Sequence, residues 1–427
     1  MKICLVSDTL PGYHKTWSGA ELLCWRLGEM LEKEEHEVFF ITSPFTQKVI
    51  SGNKRIFQLP TPLDRISRFI PFFPSFSTHF PADVYSIFRA FIILKKIKPD
   101  VVHFHTKKFF LPVMVANLIL KIPTVFTVLD YFIICPINTL IQPNGQICKE
   151  GQGTNCAGCV YQTRYRIKRI FQPTQIKKLF SKLRAKISHH FMRELNKIVT
   201  LTETSKKRLA QHKISSERIK VIYYQLINSK INKIKPSFLS SKFSTILFIG
   251  SFYPHKGLQV LIQTIPLVAS KVPNIKLKVV GTGDEYQKER IKKLVNDLKI
   301  NKYIDFLGQK NNEEVLQLIL SSEVVAVPEQ WPSDFGPIIL LEAMMLGKPV
   351  VASKIGSVPE FIKDSSNGFL VEYNQPEQFA EKLIWLLKNK ASAQSMGEKA
   401  KGSVQFLFKD NQGKEILKLY NEITSPI

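Results

Sequence analysis

The sequence predicts an α/β protein built from two doubly wound, Rossmann-like domains, each with a parallel sheet covered by helices. Three observations lead to this prediction. The 427 residues exceed what one ordinary core accommodates. Short runs rich in Val, Ile and Phe alternate with helical patterns, which is typical of parallel sheets buried on both faces. This alternation occurs twice, and the polar stretch from Asn228 to Phe243 separates the two series.

The first series predicts an amino-terminal domain over residues 1–235. It begins with the strand KICLVS, the helix AELLCWRLGEMLEKE and the strand HEVFFIT. It continues with the segment YSIFRAFIILKKI, the strand DVVHFHT, a helix from Leu111 to Lys121 and the strand PTVFTVL. Because these strands read as continuous apolar runs, we expect a sheet with no solvated face.

The second series predicts a carboxyl-terminal domain over residues 236–405. Its strands are STILFIGS, IKLKVVGTG, YIDFLGQ, VVAVPE, PVVAS and GFLVEY, with helices between them. A last helix is predicted within residues 406–427, but the pattern does not reveal where it docks. Ligands of open parallel sheets bind outside the carboxyl ends of the strands, so we expect both domains to offer loops to one cleft.

The charge balance favours anionic partners. Lys and Arg number 60 against 35 Asp and Glu, a formal net charge of +25. Such a field attracts nucleic acid, an anionic membrane surface or phosphorylated small molecules. No recognition motif accompanies the basic residues and the aromatic residues are not interleaved on a strand platform, so no nucleic-acid partner is expected.

A basic helix is predicted over residues of about 164–193, where Ile176, Leu179, Phe180, Leu183 and Ile187 form one helical stripe. No Asp or Glu occurs between Glu150 and Glu194, while ten Lys and Arg residues do. Its apolar stripe either packs on the sheet, with a solvated basic face, or lies on anionic lipid. The Phe- and Pro-rich residues 65–81 are a second candidate for the acceptor side or a membrane. With no signal-peptide core and no long apolar run, we expect a cytoplasmic protein, peripheral on the inner face of the cell membrane if the basic helix binds lipid.

The six cysteines are expected to be reduced or metal-bound. Four of them lie in an insertion over residues of about 135–160, and their number fits a structural zinc site. The alternative is a set of free thiols in a loop. The four are Cys135, Cys148, Cys156 and Cys159.

One carboxylate, Glu342, stands out in the apolar stretch EQWPSDFGPIILLEAMMLGKPVVAS. It lies in a predicted helix for which Pro337 suits the first turn and Gly347 suits the end. The amino terminus of this helix favours negative charge. A buried carboxylate without a partner is costly. Either an Arg or backbone donors satisfy Glu342 at a domain edge, or it accepts hydrogen bonds from the hydroxyls of a ribose or a sugar. Asp334 lies eight residues earlier, which makes an acid-x7-Glu pattern.

Two further stretches offer phosphate-binding features. In GSFYPHKG, Lys256 precedes a helix, where Gly and free N–H groups suit a phosphate, although lysines near helix ends are also common on surfaces. In VVGTG, Gly281 and Gly283 form half of a dinucleotide fingerprint, but the third position is Tyr286, so a tight turn is expected. No P-loop motif occurs in the sequence.

These motifs, together with SGAE, VVHFHT, TVLDYFIICP and IGSVPE, occur in an order that resembles the family 4 glycosyltransferases of the GT-B fold. The resemblance covers nearly the whole chain, and the cysteine-bearing insertion is similar to that of one subfamily. It implies retaining transfer of a sugar from a nucleoside diphosphate sugar, without a catalytic metal, to a glycan or lipid-linked acceptor in envelope polysaccharide or glycolipid synthesis.

The resemblance also implies roles for residues. Glu342 matches the Glu that binds the nucleotide ribose, and Lys256 matches the Lys that neutralises the donor diphosphate. Asp334 matches the acid that contacts the donor sugar, although Ser333 takes that position if Phe335 and Gly336 are aligned instead. Gly19 matches a glycine whose backbone lies near the phosphates. The full donor-binding set is Gly19, Ser251, Lys256, Gly281, Gly283, Phe335, Gly336, Pro337, Ile338 and Glu342.

Two positions depart from the family pattern. Ser251 stands where an Arg is common, and Leu129 stands where relatives have a His near the reacting carbon. Catalysis by Asp334 and Lys256 then either tolerates the loss or recruits His103 or His105; for those two histidines a satisfied buried role is the alternative. A nucleotide-sugar-binding protein of the same fold, with weak or no transfer, is therefore the alternative function.

Overall fold

The computed structural model describes two compact units. It covers residues 1–15, 19–47, 55–62, 84–135, 140, 142, 146, 148, 156, 186–187, 190–223, 243–332, 336, 338–408 and 412–425. The first unit comprises Met1–Leu201, Ser205–Ile222 and Asn411–Ile427, and the second comprises Thr202–Thr204 and Tyr223–Asp410. Each unit has its own parallel sheet, which confirms the two Rossmann-like domains. The predicted boundary at residue 235 lies outside the described residues.

The first unit contains a seven-stranded parallel sheet in the order β3-β2-β1-β4-β5-β6-β7. The strand order reverses between β1 and β4, which is where doubly wound sheets open a crevice for ligands. The middle of the sheet is buried on both faces, as the apolar runs predicted. Its strands are β1 (Lys2–Val6), β2 (Glu37–Thr42), β3 (Ile56–Gln58), β4 (Val101–Phe104), β5 (Thr124–Val128), β6 (Lys197–Thr200) and β7 (Ile219–Val221).

Four helices of the described chain follow these strands: α1 (Gly19–Lys33), α2 (Val84–Ile97), α3 (Phe110–Leu120) and α4 (Glu203–Gln211). The predicted end of α3 is close to the observed one. Lys121 adopts a left-handed conformation with φ of 52°, and its N–H donates to the carbonyl oxygen of Asn117. This geometry stops the helix one residue before the predicted end.

The second unit contains a six-stranded parallel sheet in the order β10-β9-β8-β11-β12-β13. Every strand that the sequence predicted for this domain is present, and the order reverses between β8 and β11. The carboxyl ends of β9, β8 and β11 therefore lie side by side. The strands are β8 (Ser244–Ile249), β9 (Ile275–Val280), β10 (Ile304–Gly308), β11 (Val324–Val327), β12 (Val350–Ser353) and β13 (Phe369–Val371).

Seven helices cover the described part of this sheet, and α5 and α10 supply much of its core through residues such as Leu261, Ile265, Phe379 and Leu383. The helices are α5 (Leu258–Lys271), α6 (Glu285–Asp297), α7 (Asn312–Ser321), α8 (Ile338–Met345), α9 (Val358–Phe361), α10 (Pro376–Lys388) and α11 (Lys390–Ser403).

The last helix, α12 (Gln412–Thr424), belongs to the first unit. Ile416, Leu419 and Tyr420 are buried in the same core as Leu5 and Val125. The carboxyl-terminal segment thus returns to the amino-terminal sheet, a docking site that the sequence pattern did not reveal.

The segments predicted to face a membrane lie mostly outside the described residues. Residues 65–81 are not described, and of the basic helix only 186–187 and 190–193 are described. Among the helices that the structure does describe, none has both the length and the apolar character to cross a bilayer.

Candidate functional site

The candidate site of the second unit forms where three neighbouring strands end. Beyond β8 the chain passes through Gly250 and Ser251, beyond β9 it passes through Gly281 and Gly283, and beyond β11 it reaches Glu329. Since β9, β8 and β11 are adjacent and parallel, these three ends share one edge of the sheet. The structure therefore brings Ser251 close to Gly281 and Gly283, which lie 30 and 32 residues later in the sequence.

Two glycines allow the loops at this edge to approach backbone to backbone. Gly281 has φ of +127°, and a Cβ there would lie 1.9 Å from the carbonyl oxygen of Gly250. Gly257 has φ of +75°, and a Cβ there would lie 1.7 Å from the carbonyl oxygen of Pro328. Only glycine tolerates both the positive φ and the absence of space. The close turn predicted at Gly281 is thus observed, with its N–H donating to Gly308 O at 2.8 Å.

Lys256 lies at the centre of this edge and is held by an unpredicted residue, Glu329. Lys256 ends the short 3-10 turn Pro254–Lys256 that leads into α5. Its Nζ lies 2.6 Å from Oε1 of Glu329. The Lys256 side chain is 31% exposed, whereas that of Glu329 is 9% exposed, so the cation reaches outward and the carboxylate lies beneath it.

Glu329 is a buried acid with unfilled hydrogen-bonding capacity. Its second oxygen, Oε2, is buried and has no hydrogen-bond partner among the described residues. Burial raises the pKa of Glu329, while the charge of Lys256 opposes that rise. The one signal in the sequence was its position as the last residue of the motif VVAVPE, just after the apolar strand.

His255 adds no positive charge to this corner at neutral pH. Its ring stacks on Tyr253 at 6.1 Å and meets Trp331 edge-on at 5.8 Å. Burial lowers the pKa of His255 to about 4, and the neighbouring Lys256 acts in the same direction. The carbonyl oxygen of His255 accepts a hydrogen bond from Gln330 N at 2.8 Å, which ties the two loops together.

The helix α8 begins just beyond the loop that follows β11. Gly336 has φ of +77°, and its N–H donates to Ser357 Oγ at 3.1 Å. Ile338 opens the helix, and Glu342 lies in its middle with 9% exposure among buried apolar neighbours. Gly347, with φ of +68°, follows the end of the helix as predicted. Asp334, Phe335 and Pro337, and the alternative Ser333, lie outside the described residues.

In the first unit, His103 has the satisfied buried role that was one of its two predicted alternatives. The side chain is fully buried. Nδ1 lies 2.6 Å from Tyr420 Oη and Nε2 lies 2.6 Å from Thr127 Oγ1. Both ring nitrogens are therefore engaged inside the unit, which links β4, β5 and α12.

His105 is also buried, but its surroundings differ. Both ring nitrogens lack a hydrogen-bond partner among the described residues, although its ring lies 4.4 Å from that of His103. Burial lowers the pKa of His105 to about 3, so the ring is neutral at physiological pH. A neutral imidazole has one donor and one acceptor to offer.

Asp8 is an acid that no sequence motif indicated. It follows β1, and His105 follows the neighbouring parallel strand β4. Asp8 Oδ1 accepts hydrogen bonds from Thr106 Oγ1 at 2.6 Å and from Lys108 N at 3.1 Å. Burial raises the pKa of Asp8 to about 6, against the effect of these two donors. An acid with such a pKa at the carboxyl edge of a parallel sheet is a typical feature of a functional site.

Gly19 and Leu129 are the two remaining predicted positions of the first unit, and each lies at or next to the end of a helix or strand. Gly19 is the exposed first residue of α1. Leu129 follows β5 and precedes Asp130, whose side chain accepts a hydrogen bond from Phe132 N at 2.8 Å.

The described cysteines do not assemble a zinc site. Cys135, Cys148 and Cys156 form no disulfide bond among the described residues, and Cys135 Sγ accepts a hydrogen bond from Leu140 N at 3.4 Å. Within the described ranges no group of three or more potential metal ligands forms. Cys159 lies outside those ranges. The described residues thus give no support to the predicted tetrahedral site, which needs all four cysteines.

Two family models match the chain. The model for Glycosyltransferase Family 4 matches residues 17–224, and the model for Glycosyl transferases group 1 matches residues 229–403. The two matches correspond to the two sheets.

Curated relatives match over part of their length. An uncharacterized glycosyltransferase of Haemophilus influenzae is 32% identical over 207 residues, which is 48% of this chain and 56% of that protein. A phosphatidyl-myo-inositol mannosyltransferase of Mycobacterium leprae is 34% identical over 146 residues, which is 34% of this chain and 37% of that protein. The chain thus spans about half the length, or less, of these relatives.

A solved structure matches the whole chain. Anabaena HepE in complex with UDP-glucose superposes with a TM-score of 0.68 at 17% identity, covering 99% of this chain and 100% of that one. At this identity the likeness shows a shared fold, in agreement with the expected GT-B class.

Proposed function

Because the chain belongs to the glycosyltransferases, with a family 4 domain followed by a group 1 domain, we propose that it transfers a sugar from a nucleoside diphosphate sugar. The acceptor in this proposal is a glycan or a lipid-linked glycan, and the transfer retains the anomeric configuration. The observation that carries the proposal is Lys256, an outward-reaching cation where three parallel strands end.

The donor diphosphate is assigned to the edge of the second unit that holds Lys256. A lysine beside loops whose glycines let the backbone approach closely suits a phosphate group. The amino terminus of α8 contributes N–H groups that favour negative charge. The complex of HepE with UDP-glucose supports a nucleotide sugar as the ligand class. Glu342, inside α8, is assigned to the ribose hydroxyls.

The chemical step breaks the bond between the anomeric carbon and the diphosphate oxygen. A bond from the acceptor hydroxyl oxygen to the same carbon replaces it on the same face, and the hydroxyl proton goes to the departing diphosphate. Negative charge grows on that diphosphate in the transition state, where a fixed cation is most effective. Lys256 supplies this charge, and Asp334 is retained as the candidate that contacts the sugar.

His105 is assigned to the acceptor side of the first unit. Its neutral ring has one donor and one acceptor nitrogen without a partner among the described residues, and a hydroxyl is the simplest group that suits either one. Asp8, at the end of the neighbouring strand β1, is a second acidic candidate there.

The net charge of +25 supports a place for the reaction at an anionic membrane surface on the cytoplasmic face. Sedimentation with vesicles of anionic lipid, compared with neutral lipid at low and high salt, tests this. Equal pelleting with both lipids would contradict it.

A donor screen tests the enzymatic proposal. The purified chain is offered UDP-, GDP-, ADP- and TDP-sugars with glycan and lipid-linked acceptors, and released nucleoside diphosphate is measured. Lys256→Ala should reduce release about 100-fold. Lys276→Ala is the matched control, because Lys276 also pairs with an acid, Asp305, at 2.9 Å. No binding or release across the panel would refute the proposal.

Nucleotide-sugar binding without transfer is the second candidate, and Leu129 with Ser251 favours it. Binding of a nucleotide sugar with no turnover, together with turnover gained in Leu129→His, would select this candidate over the first.

A further inference from the structure

The residue proposed to hold the donor diphosphate is already neutralised by a carboxylate of its own unit. Lys256 Nζ and Glu329 Oε1 are 2.6 Å apart. Glu329 is not among the site residues predicted from the sequence. The pairing joins the turn after β8 to the loop after β11, and the Gly257 approach to Pro328 fixes the spacing of those two segments.

The two members of this pair differ in how much each depends on the other to compensate its charge. Glu329 is buried and its Oε2 has no partner among the described residues, so Lys256 is what compensates a buried negative charge. Lys256 reaches solvent and does not need Glu329 for its own solvation. The pairing therefore stabilises the buried charge of Glu329. It also reduces the positive charge that Lys256 can offer to a ligand.

Two described neighbours, His255 and Ser251, do not restore that charge. His255 is neutral at pH 7 because burial lowers its pKa to about 4. Ser251, two residues beyond the end of β8, is uncharged. A diphosphate that arrives at Lys256 thus meets a pair whose charges cancel, and it must compete with Glu329 for the ammonium group.

We infer that Glu329 is the resting counterion of Lys256 and competes with the diphosphate of the donor and of the product for the same ammonium group. This inference rests on the proposed role of Lys256 as the diphosphate ligand. Glu329 lowers the affinity for a nucleoside diphosphate and helps to release it, because Lys256 returns to the carboxylate as the product leaves. Glu329 is a positioning residue that acts on the ligand through Lys256.

Calorimetric titration with UDP, GDP and ADP tests the competition. Glu329→Gln keeps the shape and an oxygen that accepts from Lys256, but it removes the charge. The dissociation constant of the nucleoside diphosphate that binds best should fall about tenfold, while that of the matching nucleoside stays unchanged. Glu329→Asp draws the carboxylate back from Nζ and should produce a smaller gain in the same direction, which also covers the case that Glu329→Gln does not fold.

The background of Lys256→Ala separates competition from other effects. Without Lys256 the buried carboxylate has no counterion and takes a proton, so adding Glu329→Gln should change affinity less than twofold. Asp305→Asn is the control, because it removes the same charge from a pair of similar length, at 2.9 Å, where β9 and β10 begin. Its affinity should equal that of the wild type.

The outcomes distinguish this inference from the proposed function. Weaker binding in Lys256→Ala with unchanged or weaker binding in Glu329→Gln keeps the diphosphate site and overturns the competition. Unchanged affinity in Lys256→Ala, or no binding of the three nucleoside diphosphates by the wild type, overturns the diphosphate role and the competition together. A tenfold gain in Asp305→Asn would show a general effect of net charge and would also overturn the inference.

Discussion

Replacing Gly257 with Ala tests the backbone contact that positions Lys256. Gly257 has φ of +75°, and an added Cβ would lie 1.7 Å from Pro328 O and 2.6 Å from Pro328 C. Ordinary van der Waals contact begins near 3.4 Å, twice the first of these distances. Since both neighbours are backbone atoms, no side-chain rotation relieves the contact, and the turn before α5 must separate from the loop after β11.

Two terms set the magnitude. A left-handed conformation costs an L residue about 1–2 kcal/mol relative to glycine. Overpacking that forces backbone shifts costs about 1–3 kcal/mol more. We therefore expect Gly257→Ala to lower the stability of the second unit by about 2–5 kcal/mol. The shift should also separate Lys256 from Glu329, so nucleoside diphosphate affinity should change.

Gly308→Ala is the matched control. Gly308 has φ of +69°, but no heavy atom lies within 4 Å of an added Cβ. Only the conformational term applies, so the expected loss is about 1–2 kcal/mol with unchanged affinity. The difference between the two variants isolates the close approach to Pro328.

Hydrogen exchange with mass spectrometry during urea titration is the suitable assay, because two units need not unfold in one transition. Peptides from β8 and β11 report the second unit, and peptides from β1 and β4 report the first as an internal reference. Calorimetry with the nucleoside diphosphate that binds best reports the site. If Gly257→Ala is as stable as Gly308→Ala and binds as the wild type does, the backbone contact does not position Lys256.

Three further predictions concern single side chains. Glu342→Ala should remove most nucleotide-sugar affinity in calorimetry while the melting temperature stays near that of the wild type; full activity would refute the ribose assignment. Because the folded pKa of Asp8, about 6, exceeds its ordinary 3.8, its stabilising effect is complete below about 3.8 and disappears as the pH rises through 6. Wild-type stability in urea should therefore fall by up to about 3 kcal/mol relative to Asp8→Asn between pH 4 and 7, and parallel profiles would contradict this. Tyr420→Phe leaves a buried nitrogen of His103 without its partner and should destabilise the first unit by about 1–3 kcal/mol; the exposed Tyr373→Phe is the control, and equal melting temperatures would exclude this role.

The elements were predictable because their signals are local. The strand motif VVAVPE became β11 because a continuous run of β-branched residues suits a strand buried on both faces. Gly347 was predicted to end α8 and does follow its end with φ of +68°, since glycine pays no steric cost there. Lys256 and Gly281 were selected in the same way, from residue types beside the end of a strand.

Contacts between residues that are distant in the sequence could not be predicted from local patterns. Lys256 and Glu329 are 73 residues apart and meet because β8 and β11 are neighbours in the sheet. His103 and Tyr420 are 317 residues apart, and their contact depends on α12 returning to the first unit. Neither pair has a local signal, because nothing near His103 indicates which helix will cover it.

The sequence by itself determined the fold class and the two sheets, because periodicity and motif spacing are properties of neighbouring residues; its choice of residues for a nucleotide sugar stays a prediction. The tertiary structure alone decided that Lys256 is paired, that His103 is satisfied and that the ring of His105 has no partner among the described residues. These are matters of burial and of long-range pairing, which depend on strand order. A charge acts on a ligand only to the extent that its own surroundings leave it uncompensated, and those surroundings come from distant parts of the chain.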